Sequence, residues 1–292
     1  MSKRHLGTAL HTWMLILPWL LVLTVFWVYP LGHALYLSFT KYQTLSNTSE
    51  WIGLANYREV FASESFYNAL LNTTIFTFGT VPVTTALALA LAVAVRRRTP
   101  IVATFFRSAF FLPSVTSLVV IALIFFNLYA QDGYVNTLAG MVGLPQSQRG
   151  WLNEPGTALA SIMAMDVWIS AGYYMVLFLA GMETIPKDLY ESAELSGASR
   201  WQQFVRITLP MLRPTMLFVV VINTIKSFQV FVEVYVMTKG GPLGATQTLV
   251  YEVYHQAFEQ SDRMGYASAL AYVIFVVLLL LSFVQMNVLK RS

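Results

Sequence analysis

Six long apolar segments dominate this sequence, and they constrain its fold more than any other feature. A helix needs about 20 apolar residues to cross the hydrocarbon core of a bilayer. Because no water reaches the backbone there, a crossing segment has to satisfy its own hydrogen bonds, as a helix does. The sequence therefore predicts an all-α membrane protein with a single transmembrane domain over residues 1–292. Its six transmembrane helices are expected at roughly residues 13–37, 70–95, 109–129, 158–182, 215–237 and 267–288.

The composition supports this prediction. Hydrophobic residues make up 57% of the 292 residues and charged residues only 11%, whereas about 25% of a soluble domain is charged. The first apolar segment follows Lys3 and Arg4, as the core of a signal peptide would. It is longer than such a core, and no small-x-small cleavage site follows it. We therefore expect a retained first helix.

Lysine and arginine residues are unevenly divided between the helix ends and loops expected on one side of the membrane and those expected on the other side. One set holds most of them: Lys3, Arg4, Arg96, Arg97, Arg98, Arg107, Lys187, Arg200, Arg206, Arg213, Lys290 and Arg291. The opposite set holds Lys41, Arg58, Arg149, Lys239 and Arg263. Basic loops remain in the cytoplasm, so we expect both termini and residues 183–214 to be cytoplasmic. The same bias explains the net charge of +4 and argues against a nucleic-acid partner.

Residues 183–214 form a polar connection that is longer than a turn between two helices requires. Asp188 is typical of the first turn of a helix, and Gly197 permits a bend after it. Apolar residues at helical spacing predict a second helix: Trp201, Phe204, Val205 and Leu209. Pro210 and Pro214 are expected to end it. The residues alone fit either a docking surface or an amphipathic hairpin lying on the membrane.

The same connection carries a recognisable pattern. In ABC-importer permeases, the EAA loop reads E-A-A-x-x-x-G-A and then F-x-x-I-x-L-P at fixed spacing. The matching residues here are Glu191, Ala193, Gly197, Ala198, Phe204, Ile207, Leu209 and Pro210. Ser192 and Ser196 depart from the pattern, where alanine and aspartate are usual. The chain therefore resembles an ABC-importer permease of the type I fold, with six helices and cytoplasmic EAA coupling helices.

The resemblance implies a division of labour between subunits. This chain would be the inner-membrane permease, in a bacterial-type plasma membrane, and two ABC ATPase domains would bind ATP and Mg. The sequence has no G-x-x-x-x-G-K-[ST] loop, so we expect the chain itself to hold no cofactor and to be no enzyme. Its four histidines are scattered and predict no metal site. The resemblance assigns ATPase coupling to Glu191, Ala193, Glu194, Gly197, Ala198, Phe204, Leu209 and Pro210.

A second resemblance concerns the substrate. Gly240-Gly241-Pro242, the downstream Gly265-Tyr266-Ala267-Ser268-Ala269, and Pro30 with Ser38-Phe39 look like carbohydrate-importer permeases of the maltose type. This implies import of a sugar, an oligosaccharide or a related polyol. It also implies an extracytoplasmic substrate-binding protein and a second permease subunit. The second subunit is expected to be a different chain, giving a heterodimer, although a copy of this chain remains an alternative.

Polar residues inside the apolar segments mark a candidate pathway, because such residues are costly in a membrane. Helix five carries Asn223, Lys226, Gln229 and Glu233 at spacings that place them on one helix face. Lys226 and Glu233 are then about 10 Å apart. The predicted pathway residues are Ser170, Tyr173, Asn223, Lys226, Ser227, Gln229 and Glu233. The alternative is contact between helices, with Lys226 paired to Asp166 or to the partner subunit. Lys226 also keeps a glycerol-phosphate-type substrate open.

Two other functions remain as alternatives. An ion-coupled secondary transporter would show repeats and midplane helix breaks, and a membrane-embedded enzyme is a second alternative.

Residues 131–156 are rich in Gly, Pro, Asn and Gln, which predicts an irregular loop. Asn56 is expected to start a short amphipathic helix. Pro82 and Pro113 predict kinks.

Overall fold

The computed structural model describes residues 14–43, 48–260 and 262–291. The chain divides into two compact units. The first contains residues 14–63 and 253–275, and the second contains residues 64–252 and 276–291.

The first unit begins with a long apolar helix, α1 (Met14–Ser38). A wide π-helical turn at Thr24–Val28 precedes Pro30. Proline has no N–H, and its ring clashes with the carbonyl four residues earlier, so a wider turn relieves the contact. An antiparallel hairpin follows, β1 (Thr40–Gln43) and β2 (Thr48–Trp51), with Thr40 opposite Trp51. The sequence did not predict this hairpin.

Asn56 anchors the helix after the hairpin, α2 (Ala55–Ala62). Its side-chain amide donates to the carbonyls of Ser38 and Thr40, at 2.9 and 3.0 Å. Val60 on the same helix is fully buried. The short amphipathic helix predicted at Asn56 is therefore present, and it rests on the end of α1 and the start of the hairpin.

The described part of the second unit is built from helices. In chain order they are α3 (Glu64–Arg96), α4 (Pro100–Val115), α5 (Leu118–Leu128), α6 (Tyr134–Met141), α7 (Pro155–Glu183), α8 (Lys187–Leu195), α9 (200–211), α10 (Arg213–Phe228) and α11 (Val232–Met237). Helix α12 (Leu249–Tyr254) and helix α13 (Met264–Arg291) pass between the two units along the chain.

Five helices in the described ranges are long and apolar enough to cross a membrane: Met14–Ser38, Glu64–Arg96, Pro155–Glu183, Arg213–Met237 and Met264–Val288. The prediction of one unbroken helix at 109–129 is wrong. Residues 100–128 instead form α4 and α5, which meet at 94° and can count together as a sixth span. Pro113 removes a backbone donor near the end of α4, and Thr116 then adopts an extended conformation.

The fifth span is also interrupted, which corrects the predicted polar face. Helix α10 ends at Phe228, and α11 begins at Val232. The Val230 carbonyl between them accepts a hydrogen bond from Thr248 Oγ1 at 3.0 Å, a tertiary contact that replaces a helical one. Asn223, Lys226, Gln229 and Glu233 therefore do not share one continuous helix face, because Glu233 lies beyond the break.

Helices α3 and α7 form the scaffold of the second unit. Small residues of α3, among them Ala88 and Ala92, are fully buried against a cluster that includes Met175 and Phe178 of α7. Small residues let membrane helices approach closely, which is where their packing energy comes from. Helix α3 continues without interruption through Pro82.

Asparagine side chains order two loops of the second unit. Residues 131–156 were expected to be irregular, but they contain α6, and the Asn136 amide donates to the carbonyls of Gln131 and Ser147. The Asn72 amide donates to the carbonyls of Gly244 and Gln247, at 2.9 and 3.0 Å. Asparagine side chains thus replace missing backbone partners in both loops.

Candidate substrate pathway and loop helices

The centre of the second unit holds a charged cluster formed by α7 and α10. Lys226 Nζ donates to Asp166 Oδ1 at 2.5 Å and to Ser170 Oγ at 2.6 Å. Asp166 and Ser170 are one helical turn apart on α7, so one ammonium group reaches both. The pairing of Lys226 with Asp166, which the sequence left as an alternative, is therefore what the structure contains.

The two partners differ in exposure. The Asp166 side chain is 2% exposed, whereas that of Lys226 is 40% exposed. The second carboxylate oxygen of Asp166 has no hydrogen-bond partner. Glu233 is also buried and interacts electrostatically with Asp166 and Lys226. One accessible ammonium group thus lies among two buried carboxyl groups, and its charge is balanced within the protein.

An open cavity of about 330 Å³ lies beside this cluster. Of the predicted pathway residues, it brings together Ser170, Tyr173 and Lys226. Its remaining wall includes Ser114 and Thr116 from the bend between α4 and α5. Tyr173 is 42% exposed, so it offers an aromatic face and a hydroxyl group. Such a surface suits a ligand with hydroxyl groups and apolar ring faces.

The other predicted pathway residues do not line this cavity. Asn223 and Ser227 are buried within the protein, where Ser227 Oγ accepts a hydrogen bond from Thr80 of α3 at 3.2 Å. Gln229 is exposed at the end of α10, and Glu233 is buried on α11. The spacing of the polar residues predicted that they line a substrate pathway. It did not indicate which of them face a neighbouring helix.

The loop between α7 and α10 is a pair of helices joined by a tight bend. Helix α8 begins at Lys187, with Asp188 in its first turn, and Gly197 bends the chain at φ +74°. Ser199 then starts α9 with a capping box, in which its hydroxyl accepts from the Gln202 N–H and the Gln202 side chain accepts from the Ser199 N–H. Ser-x-x-Gln is a local sequence signal for the start of a helix.

Pro210 does not end the second helix, which corrects the prediction. Helix α9 passes through a π-helical turn at Phe204–Thr208 and continues through Pro210 to Met211. The wide turn moves the preceding carbonyls away from the proline ring, as at Pro30 in α1. Pro214 lies in the first turn of α10 rather than beyond a helix end. The loop helix is thus nearly continuous with the fifth span.

Polar contacts join the loop helices to the end of α3. The Arg96 guanidinium lies over the Tyr190 ring, 5.1 Å from its centroid, and donates to the Tyr190 hydroxyl at 3.2 Å. That hydroxyl also bonds with Thr208 Oγ1 at 2.9 Å. Three helices, α3, α8 and α9, therefore meet at Tyr190. The sequence pattern did not identify this residue, although it immediately precedes Glu191.

The outer surface of the loop helices is exposed and mixed in character. Glu191, Glu194 and Gly197 are exposed. Leu195 is 92% exposed and Trp201 is 71% exposed. Ala193, Ala198, Phe204, Leu209 and Pro210 are half-buried beneath this surface. Large exposed apolar side chains next to carboxylates are typical of a protein contact surface.

No group of three His, Asp or Glu side chains suitable for a metal ion occurs in the described ranges 14–43, 48–260 and 262–291. The histidines within those ranges are separated along the chain. His33 stacks with Tyr29, and His255 lies 3.7 Å from Glu259. Both have local structural contacts.

Comparison with known proteins gives concordant matches. The family described as "Binding-protein-dependent transport system inner membrane component" matches residues 84–291. The probable ABC transporter permease protein YurN of Bacillus subtilis is 37% identical over 93% of this chain and 94% of its own. The lactose transport system permease protein LacF of Rhizobium radiobacter is 33% identical over 94% and 92%.

A solved structure has the same fold. It is that of the bacterial alginate ABC transporter in complex with an alginate pentasaccharide-bound periplasmic protein. The matching chain has a TM-score of 0.85 and 23% identity, with 99% of this chain and 96% of that chain covered. At this identity the match concerns the fold.

Proposed function

This chain belongs to the family of binding-protein-dependent transport system inner membrane components, and on that premise we propose that it carries a carbohydrate. It has the fold of a type I ABC-importer permease and is a transport subunit rather than an enzyme. The proposed substrate is a sugar, an oligosaccharide or a related polyol. The observation that carries this proposal is the cavity of Ser170, Tyr173 and Lys226, and the lactose transport role in the name of the relative LacF supports it.

The charge balance of the cavity favours a neutral substrate over a glycerol-phosphate-type one. Lys226 is the ammonium group at the cavity wall, and Asp166 already pairs with it at 2.5 Å. A charge that has its counter-ion in place offers hydrogen bonds rather than net attraction. Two of its three donors bond with Asp166 and Ser170. The third remains for a substrate hydroxyl group.

The proposed assembly contains a second permease subunit, two ABC ATPase domains that bind ATP and Mg, and an extracytoplasmic substrate-binding protein. Two observations support it. The loop helices present an exposed surface around Glu191 and Leu195, and the solved alginate transporter is in complex with a periplasmic protein. Both termini and the loop helices are proposed to lie in the cytoplasm, because the arginines of residues 183–214 and those following α3 lie on one side.

In the proposed mechanism, closure of the ATPase pair moves the loop helices as rigid bodies. The docking residues are Glu191, Ala193, Glu194, Gly197, Ala198, Phe204, Leu209 and Pro210. Motion of α9 passes directly to α10, because the chain is nearly helical from one to the other. Lys226 lies on α10, so the cavity wall moves with the loop. Access to the cavity then alternates between the two membrane sides.

Uptake into proteoliposomes that contain the whole transporter tests this proposal. We expect uptake of a neutral sugar that requires ATP and the binding protein, and we expect none with an ion gradient alone. Glu191→Lys and Gly197→Asp should abolish uptake and release the ATPase during purification. Aspartate tolerates positive φ at position 197 better than most residues, and a Cβ there meets no atom within 4 Å. The variant is therefore expected to fold.

Asp132→Lys provides a matched control, because it reverses an exposed charge in the turn between α5 and α6, at the far end of α7. It should leave the ATPase attached. Retention of the ATPase and full uptake in both loop variants would refute the coupling role. Uptake driven by an ion gradient with this chain alone would identify a secondary transporter instead.

A further inference from the structure

Arginines surround a cavity of about 380 Å³ between the end of α3 and the loop helices. Arg96 and Arg97 line it from α3 and the turn after it, and Arg200 lines it from the first turn of α9. Glu194 is the acidic residue in this lining. Three cationic side chains therefore face one carboxylate, and the cavity has a local excess of positive charge.

Two of these arginines lack an acidic partner. Among the residues that the structure describes, neither Arg97 nor Arg200 forms an ion pair, whereas Arg107 and Arg263 lie 3.4 and 2.7 Å from carboxylates. A guanidinium group keeps its charge in any surroundings and binds phosphate with its fork of donors. Unpaired arginines at the rim of one cavity are therefore suited to an anion supplied from outside the chain.

An apolar groove of about 580 Å³ adjoins this cavity. The two share Val93, Phe204 and both unpaired arginines. The groove is otherwise lined by Ala90, Ala94 and Trp201. Ala90, Val93, Ala94 and Arg97 follow one another at helical spacing, so one face of α3 is apolar until it reaches a cation.

The groove lies at the boundary of the membrane. The apolar run of α3 ends at Val95, and Arg96, Arg97 and Arg98 follow at once. Such a change marks the level of the lipid headgroups, where tryptophan is also enriched. Trp201 is 71% exposed, and its ring lies 5.6 Å from that of Phe204. An apolar channel here opens towards acyl chains, with cations at headgroup depth.

We propose that this groove binds an anionic phospholipid. Its phosphate lies between Arg97 and Arg200, and an acyl chain follows Ala90 and Ala94 beneath Trp201. A soluble phosphate would contact the arginines but leave the apolar groove empty. Because the arginines and the apolar groove adjoin, the site favours a lipid. The lipid bridges the end of α3 to α9 and thereby ties the loop helices to the membrane. The lipid site does not depend on what the protein transports.

Quenching of Trp201 fluorescence by brominated lipid tests the proposal in the full-length chain in lipid nanodiscs. The chain has seven tryptophans, so the difference between wild type and Trp201→Phe isolates the signal. We expect half-maximal quenching at about a fivefold lower mole fraction of brominated phosphatidylglycerol than of brominated phosphatidylcholine. The double variant Arg97→Gln/Arg200→Gln should lose this preference. Ala94→Leu, which fills the groove and retains both charges, should weaken quenching by the anionic lipid.

Arg213→Gln is the matched control, because Arg213 is exposed, has no ion pair in the described ranges and lines neither cavity. It should retain the wild-type preference. Equal quenching by the two lipids, or a preference that survives in the double variant, would overturn the proposal. Loss of the preference when inorganic phosphate is added would assign the arginines to a soluble anion and would also overturn it. None of these readouts involves transport, so they stand apart from the test of the proposed function.

Discussion

At the scale of single residues, burial separates the polar groups that the sequence placed together. Lys226 and Tyr173 are 40% and 42% exposed beside the cavity, whereas Asn223 is fully buried between helices. An ionisable residue inside a membrane segment is tolerated when it pairs within the protein. Asp166 supplies that pairing, so it and Lys226 have unequal roles. The aspartate balances charge, and the lysine presents hydrogen bonds to the cavity.

The unequal roles of Asp166 and Lys226 predict that substitutions of the two residues destabilise the protein to different extents. Lys226→Met leaves the Asp166 carboxylate buried and without a counter-ion, which is expected to cost about 3 kcal/mol, the lower end of the range for a broken buried pair. The lower end applies because Lys226 is partly exposed. Asp166→Asn should cost less, since the lysine can turn towards water. The double variant Lys226→Met/Asp166→Asn should recover much of the loss, as measured by thermal unfolding in nanodiscs.

Lys187→Met is a suitable control for the loss of a lysine, because Lys187 is exposed and forms no ion pair in the described ranges. It should leave the melting temperature unchanged. If the double variant were no more stable than Lys226→Met, Asp166 would not depend on the lysine, and the pair would have no structural role.

At the scale of elements, close approach of backbones fixes how the bent third span packs. Gly172 of α7 lies against the backbone of α4, where an added Cβ would overlap the Phe110 carbonyl. A carbonyl group in a helix cannot move aside as a side chain can. Glycine at this position therefore sets the distance between α4 and α7, and α4 leads directly into the bend that lines the cavity.

Gly172→Ala should accordingly destabilise the protein. Overpacking costs about 1–3 kcal/mol, against a gain in helix propensity of at most about 1 kcal/mol, so the net effect is a lower melting temperature. Gly79→Ala should be milder, because the atoms it meets belong to the flexible Met163 side chain. Gly156→Ala, which meets nothing within 4 Å, is the neutral control. Equal melting temperatures for all three variants would contradict the packing argument.

The elements also show where sequence reasoning stops. Four of the six predicted spans held as single helices. The third and fifth spans break where local bonding changes: Thr116 turns extended after Pro113, and Thr248 bonds the Val230 carbonyl. The Thr248 hydroxyl is 18 residues from its acceptor, so no window of local periodicity contains it. The loop helices were predictable, because Gly197 and the Ser199 cap act locally.

At the scale of the whole molecule, the distribution of charge along the chain has a consequence for orientation. Helix α7 has 29 residues, about 43 Å at 1.5 Å per residue, which is enough to cross a bilayer. The loop before it and the loop helices after it must then lie on opposite sides of the membrane. The arginines that follow α3 and those of the loop helices predict that the second side is the cytoplasmic one.

Single-cysteine labelling checks this orientation directly, because the natural sequence contains no cysteine. Gln148→Cys and Ser192→Cys each place a thiol at an exposed position, one before α7 and one on α8. A membrane-impermeant maleimide should label Gln148→Cys in intact cells with the outer barrier opened, and Ser192→Cys in inverted membrane vesicles. Ala88→Cys, buried between α3 and α7, should resist the reagent in both. Labelling of Ser192→Cys from the outside would reverse the orientation and would separate the loop helices from any cytoplasmic ATPase.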